Sequence, residues 1–500
     1  MAGAFRPGIA QLVPSLERIE EPGVLRGMWY LTVLTMLAFS PLMAAELEEW
    51  RRSEDWEVAL GQAGEMARAR RFAEAGELFQ HLAEAAERYQ FPLLMKAKCV
   101  NNYGAMLMAN GQFAEAEKRY REAVRYWAGA TGEESDETAT TLNNLGELYR
   151  RMGRYAEAEE VLRRSLGIRE RLGKNNELRV AGALNNLGTV QREAGRLREA
   201  AASFERALEM KRRLGDLGLG KTLNNLGSAH QDLGDAARAE ALYLEAEAAL
   251  EGEAGAELAS VWNNLGTLHR KTGRMESAEA YLRRANALWE KTLGGEHPSL
   301  AAGWNNLAEL LVTVGRAGEA EPLYRRAIAV AEKTHGAGLA DMVDNLGVLF
   351  LRQEKGVGAE ALFRRAVALR TAAVGRTGEA TLGAMHHLSQ ALGLQKRYTE
   401  AERLLLEELA IVEENRMQRS APHGLVLAEL ALVQLAQRRY AEGERYLEAV
   451  SAFATELPAV QQEGVAELFK AYANLLRGAK RNRDAARIEG RANSLLAPSR

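Results

Sequence analysis

A small residue returns along this chain at a nearly constant interval. Ala75, Ala116, Ala158, Ala200, Ala239, Ala278, Ala320, Ala359, Ala401 and Gly443 stand 41, 42, 42, 39, 39, 42, 39, 42 and 42 residues apart. A period of about 40 residues held this long means stacked supersecondary units, not separate globular domains. Each period has room for two helical segments. In the third unit they run near 137–152 and 156–172, joined at Gly153 and Arg154. Gly111, Gly195, Gly234, Gly273 and Gly315 occupy the same joint, where a residue of positive φ ends the first helix. From residue 344 onward Glu354, Lys396 and Arg438 take its place. With only 10 Pro, 6% aromatics and few β-branched residues, the composition is that of an almost wholly helical chain.

The first helix of each unit shows its buried face. Leu142, Leu145, Gly146 and Tyr149 fall at i, i+3, i+4 and i+7, one stripe of a 3.6-residue helix. The stripe recurs at Leu184, Leu187 and Gly188, and at Leu223, Leu226 and Gly227. Trp262 and Trp304 take its first place in the sixth and seventh units. A mid-helix Gly costs about 1 kcal/mol of helix propensity. It implies close approach of the partner helix, with the small residue (Ala158 and its equivalents) expected as the other half of the contact.

The runs L-G-x-x-Y and then G-x-Y-x-x-A resemble the tetratricopeptide repeat. The lengthened period and the recurring N-N-L-G resemble the kinesin light chain subtype of that family. Residues 281–312, with the loop Gly294–Pro298, carry the likeness best. It extends over roughly 60–490, strongest in units two to eight. The first unit lacks N-N-L-G, the ninth has His386-His387 there and the tenth Ala428-Glu429, and the eleventh (465–492) is degenerate. The resemblance implies a right-handed superhelix with first helices lining the concave side, and a role in holding other proteins. The expected fold is an all-α solenoid of about eleven helix-turn-helix repeats over 46–500, with core repeats at 95–415 and atypical end repeats at 53–94 and 416–492.

Asparagine pairs precede the Leu-Gly of the stripe. They are Asn101-Asn102, Asn143-Asn144, Asn185-Asn186, Asn224-Asn225, Asn263-Asn264 and Asn305-Asn306, then Asp344-Asn345. Asn is a mediocre helix former. At 100° per residue, the first Asn lies roughly 110° from the core stripe and the second roughly 150°. The second Asn therefore points away from its own hairpin, toward the inner groove. Primary amides both donate and accept, which suits the backbone of an extended peptide. The candidate groove residues are Asn102, Asn144, Asn186, Asn225, Asn264, Asn306 and Asn345. A cluster of Lys221, Asn225, Arg270 and Lys271 has the chemistry to capture a carboxylate. The alternative is that the amides bond to neighbouring repeats and fix the stacking; that is the favoured role of the first Asn.

Other function classes find little material. The 65 basic and 68 acidic residues leave a net charge of −3, with no basic excess to draw in nucleic acid. A single Cys99 excludes an internal disulfide framework and a cysteine-based zinc site. Its apolar surroundings permit burial. Residues 215–222, GDLGLGKT, satisfy a phosphate-loop pattern, but that chemistry needs a preceding strand. Here a helical segment, 204–214, comes first, so the match is read as chance. No HExxH, G-x-S-x-G or calcium-loop pattern occurs. His386 and His387 diverge on a helix and make a poor metal pair; surface or groove positions are expected for both. No catalytic residue, metal or cofactor is expected.

Residues 28–45, MWYLTVLTMLAFSPLMAA, are uncharged and apolar, follow Arg18 and Arg26, and end in small residues. That is the layout of a secretory signal. The 27 residues before it are long for such a signal, so they serve as its n-region or are a leader ahead of a true start at Met28. An uncleaved membrane anchor and a buried helix are the rival readings. The expectation is an exported (periplasmic or secreted) or membrane-anchored, non-catalytic scaffold that binds an extended peptide or protein segment. Its alternative is a structural scaffold assembled through the convex face or end repeats.

Overall fold

The computed structural model describes residues 53–496, apart from 70, 174–175, 216–217, 253–254, 335–337, 419 and 458. Residues 1–27 and the apolar stretch 28–45 lie outside the described residues. Among those described, no helix is long and apolar enough to cross a membrane.

The described residues form 22 α-helices and no strand. They pair into eleven antiparallel hairpins, the count expected from the period. Contacts divide the chain into two compact units, Met1–Leu214 and Gly215–Arg500. The first contains α1 (Ser53–Arg68), α2 (Phe72–Arg88), α3 (Leu93–Ala109), α4 (Phe113–Thr131), α5 (Asp136–Arg151), α6 (Tyr155–Arg171), α7 (Glu177–Glu193) and α8 (Leu197–Leu214). The second begins with α9 (Leu219–Asp232), α10 (Ala236–Ala249), α11 (Ala256–Lys271), α12 (Met275–Leu293), α13 (Pro298–Thr313), α14 (Ala317–Thr334), α15 (Leu339–Arg352) and α16 (Gly356–Val374). It ends with α17 (Glu379–Leu394), α18 (Tyr398–Glu414), α19 (Ala421–Ala436), α20 (Tyr440–Ser451), α21 (Ala459–Gly478) and α22 (Asn482–Leu496). Odd-numbered helices are the first of each hairpin and even-numbered the second.

Local chemistry sets the ends. Ser135 caps α5 by accepting from the Thr138 N–H, with Asp136 and Glu137 in the first turn and Arg150 and Arg151 in the last. That charge order opposes the helix dipole favourably. α13 starts with Pro298, whose missing N–H is no loss at that position. The joints inside the hairpins are left-handed as expected, Gly153 at φ 73° among them. Where Gly is absent the backbone is unchanged: Glu354, Lys396 and Arg438 sit at φ 57°, 62° and 63°.

The stripe is buried in most first helices, and Trp262 is half-buried. Leu142, Leu145 and Tyr149 are buried in α5, and Leu184 and Leu187 in α7. Ala158, Ala200, Ala278 and Ala320 are fully buried. At Gly266 the Ala278 carbonyl would lie 3.1 Å from an added Cβ, but at the other stripe glycines the small residue is not what the Gly faces. A Cβ on Gly146 would lie 2.6 Å from Leu162 Cγ, and one on Gly188 2.7 Å from Phe204 Cε1. Gly227 meets Tyr243 and Gly347 meets Phe363 in the same way. Each partner lies four residues after the small residue, one turn along the second helix. The hairpin thus closes large-against-Gly, with the small residues one turn away.

Around these contacts the first unit builds a core from Trp56, Phe79, Tyr103, Tyr120, Trp127 and their aliphatic neighbours. The second builds one around Trp289, Trp304 and Tyr324. A terminal cluster forms around Phe453, Phe469 and Tyr472.

Candidate functional site

The asparagine pairs lie on the first helices and bond from hairpin to hairpin. In the first unit Asn144 Nδ2 donates to Asn101 Oδ1 at 3.3 Å, and Asn186 Nδ2 to Asn143 Oδ1 at 2.9 Å. In the second, Asn264 donates to Asn224 at 2.9 Å, Asn306 to Asn263 at 2.9 Å and Asn345 to Asn305 at 3.1 Å. Asn185 and Asn225 are engaged as well. Asn102 Oδ1 accepts from Asn101 Nδ2 within the same pair. Each bond between hairpins therefore uses the second Asn of one hairpin and the first of the hairpin before it. The expected division, first Asn for stacking and second for a ligand, is not how the amides are shared.

A bond of this kind between neutral groups contributes about 1 kcal/mol, and the spacing it imposes repeats with the hairpins. Asn144, Asn186 and Asn306 each spend one N–H on it, while Asn264 also donates to Ser228 at 3.4 Å and Asn345 to Glu309 at 3.0 Å. An amide has two N–H groups and an oxygen with two lone pairs, and Asn144, Asn186, Asn264, Asn306 and Asn345 are only half-buried. Exposed or half-buried polar residues share their face at helical spacing: Thr140, Glu147 and Arg151 on α5, Lys221 and Ser228 on α9, and Ser260, Thr267 and Lys271 on α11.

The expected carboxylate-capturing cluster needs a correction. Arg270 is paired with Glu309 at 2.8 Å. Glu309 also accepts from Asn305 at 2.8 Å and from Asn345 at 3.0 Å. A guanidinium neutralised this way is a structural member of the ladder. Lys221 and Lys271 are exposed on the face. GDLGLGKT is preceded by α8, a helix as expected, and Lys221 falls in the first turn of α9.

The ladder changes chemistry at its far end. His387 Nδ1 lies 3.1 Å from Asp344 Oδ2, so His and Asp replace the amide pair. His386 does not take the surface or groove position expected of it. It turns inward, with Nδ1 3.7 Å from Glu408 Oε2. Burial works against a charge on His386, but the Glu408 and Glu429 carboxylates outweigh it and hold its pKa above the usual value. Burial pushes the Glu429 carboxyl up. Among the described residues no group of His, Cys, Asp or Glu has the geometry of a metal site. Cys99 is buried, and burial raises its thiol pKa to about 12.

A second stacking device was missed in the sequence. Where the residue after the joint is Arg, it reaches back to a Glu one hairpin earlier; Gln112 and Asp235 interrupt the series. Arg154 meets Glu117 at 2.6 Å, and Arg196 meets Glu159, in the first unit. In the second, Arg274 meets Glu240 at 2.6 Å, Arg316 meets Glu279 at 2.8 Å, Arg397 meets Glu360 at 2.7 Å and Arg439 meets Glu402 at 3.1 Å. The signal was present as a recurring Arg after the joint and a Glu after the small residue. Pairing within one helix accounts for only part of it, such as Arg154 with Glu157.

A tetratricopeptide-repeat family model matches residues 97–171, 179–252, 257–333 and 339–414. No curated protein matches. Among solved structures, a STAND protein with a tetratricopeptide-repeat sensor from Pyrococcus horikoshii is 14% identical, with a TM-score of 0.54 over 72% of this chain and 53% of that one. BtubC (BKLC) from P. vanneervenii is 25% identical over 46% of this chain and 92% of its own, with a TM-score of 0.38. A putative kinesin light chain from Podosopora anserina is 23% identical over 39% of this chain and 94% of its own, with a TM-score of 0.36. Four matched segments over more than half of the chain place it in the tetratricopeptide-repeat family.

Proposed function

We propose that this protein is a non-catalytic scaffold that holds an extended peptide or protein segment on the asparagine-bearing face of its first helices. Tetratricopeptide repeats generally mediate protein–protein interaction. The observation that supports this face is the ladder itself, which fixes half-buried amides at the period of the hairpins. The remaining N–H and oxygen groups of Asn144, Asn186 and Asn306 match the alternating donors and acceptors of a peptide backbone. Lys221 and Lys271 add positive charge beside Asn225 and Asn264, favouring a segment with a carboxylate there.

The test is selection of random 12-residue peptides on the full chain, followed by calorimetric titration of the selected peptides. Lys271→Glu and Ser260→Arg change the face without removing a ladder amide. Affinity lost in both, with unchanged helix content, supports the reading; affinity kept in both sinks it. We further propose that residues 28–45 direct export. Mass spectrometry of the mature protein overturns that if it retains 28–45 and is recovered from the soluble cytoplasm.

A further inference from the structure

The slot between two successive second helices, floored by the first helix between them, is filled differently along the chain. On α11 and α13 its floor residue, just before the Asn pair, is Trp262 and Trp304, whereas α15 has Val343 and α17 Met385 at that place. The Arg284 guanidinium lies 4.0 Å from the Trp262 ring centre, and the indole N–H donates to Glu247 at 2.7 Å. Arg326 lies 4.1 Å from the Trp304 ring centre. Each is a planar ring beneath a cation, a favourable pairing.

The first unit keeps the cation and lacks the ring. Leu142 holds the place of the indoles, and Arg164, six residues after Ala158, the place of Arg284, six after Ala278. Val124 stands where Glu247 stands, each eight residues after its small residue. The consequence is an open cleft of about 540 Å³ among α4, α5 and α6, within the size range of organic-ligand sites. Leu142 and Leu145 floor it, and Val124 and Val161 wall it. Lys118, Arg125 and Arg164 rim it and are exposed; Lys118 lies 3.8 Å from Glu115 and Arg164 3.8 Å from Glu133, both loose pairs in water. Arg121 on the same rim is bonded to Tyr149 and Glu117. Of the two rim carboxylates, Glu157 and Glu160, the first is already paired with Arg154. The rim therefore carries an excess of positive charge over an apolar floor.

One hairpin earlier the floor residue is Val100, and a smaller cleft of about 320 Å³ remains. Its rim has Glu84, Glu87 and Glu122 against Arg88 and Arg119, so it lacks the positive excess. It serves as an internal control.

We propose that the α4–α5–α6 cleft binds a small planar aromatic anion, such as an aryl carboxylate. The ring takes the place that the Trp262 and Trp304 indoles fill in their own hairpins, and the anionic group meets Lys118, Arg125 and Arg164. The site is walled by two second helices over a first-helix floor, and no residue of the asparagine pairs lines it.

The test is calorimetric titration of the full chain with 2-naphthoate, and with 2-naphthalenemethanol as the uncharged ring. Leu142→Trp should fill the slot from within, lower 2-naphthoate affinity at least tenfold, and leave helix content and melting temperature at or above wild type. Lys118→Gln/Arg125→Gln/Arg164→Gln should weaken naphthoate binding several-fold without changing the affinity for the alcohol. Val100→Trp should leave both unchanged. Should Leu142→Trp fail to fold, the triple surface variant decides alone, because its residues lie in water. Wild-type affinity in that variant, equal affinity for the anion and the alcohol, or no heat of binding at all overturns the proposal.

Discussion

Two glycines of the same helix should respond to the same substitution in opposite directions. Gly182 and Gly188 both lie inside α7. A Cβ on Gly182 meets nothing within 4 Å, whereas one on Gly188 would stand 2.7, 2.9 and 3.0 Å from three atoms of the Phe204 ring. Phe204 is fully buried, so its ring has no solvent to move into. Gly→Ala in a helix interior gains about 1 kcal/mol of propensity at either site. At Gly188 the added methyl also overpacks the hairpin, which costs about 1–3 kcal/mol. Gly182→Ala should therefore stabilise by about 0.5–1 kcal/mol, and Gly188→Ala should destabilise by about 1–2 kcal/mol, taking the middle to upper part of that cost. An array of repeats need not unfold in one step, so a single global midpoint is a poor readout. Native-state hydrogen exchange of the α7 and α8 amides reports the local free energy. Faster exchange in Gly188→Ala and slower exchange in Gly182→Ala is the expected result. Equal shifts of one sign in both would show that Gly188 is not held by contact with Phe204.

Three further outcomes are expected. Lys396→Gly should raise the local stability of α17 and α18 by up to about 1 kcal/mol, because a left-handed L-residue is strained and Lys396 sits at φ 62°; native-state exchange of those two helices checks it. Melting temperature should hold from pH 7 to about 5 and fall below about 4.5, since paired carboxylates near a reference pKa of about 4.3 must then protonate. Burial alone would raise Glu117 and Glu360, but bonds to Arg154 for the first, and to Gln395 and Arg397 for the second, hold both below the usual range. Arg283 and Arg316 do the same for Glu279. A lowered folded-state pKa gives stability that is present above the unfolded value and lost as pH falls through the folded one, so thermal scans across pH test the sign. Cys99 should resist Ellman's reagent in the native chain and react fully on unfolding, because only the thiolate attacks and burial holds the thiol pKa at about 12.

What could be read in advance follows from what a single hairpin's sequence contains. Gly153 at φ 73° and Lys396 at φ 62° show why the joints were legible. A left-handed helix end is a local demand, and its position survives even where Gly does not. The buried faces of α5 and α7 were legible because the 3.6-residue period of one helix defines its own stripe. The partner of Gly146 was not. Whether Ala158 or Leu162 lies opposite depends on how far the second helix is slid along the first, and neither helix's period records that offset. The asparagine ladder failed at the same point: angles about one axis placed Asn143 and Asn144 on separate roles, but their bonding is set by the distance to the next hairpin. Arg154 and Glu117 were readable in principle, since both residue types recur at fixed places relative to the joint. His386 escaped because its partner, Glu408, lies on α18, and no spacing within α17 points to it.

The proposed binding face lies on the first helices. Photo-cross-linking a selected peptide to the full chain, with sites mapped by mass spectrometry, tests it most directly. Cross-links are expected on α9, α11, α13 and α15, close to Lys221, Asn264, Asn306 and Asn345. Cross-links confined to the even-numbered helices or to the end hairpins would contradict it and leave the asparagines as stacking architecture alone.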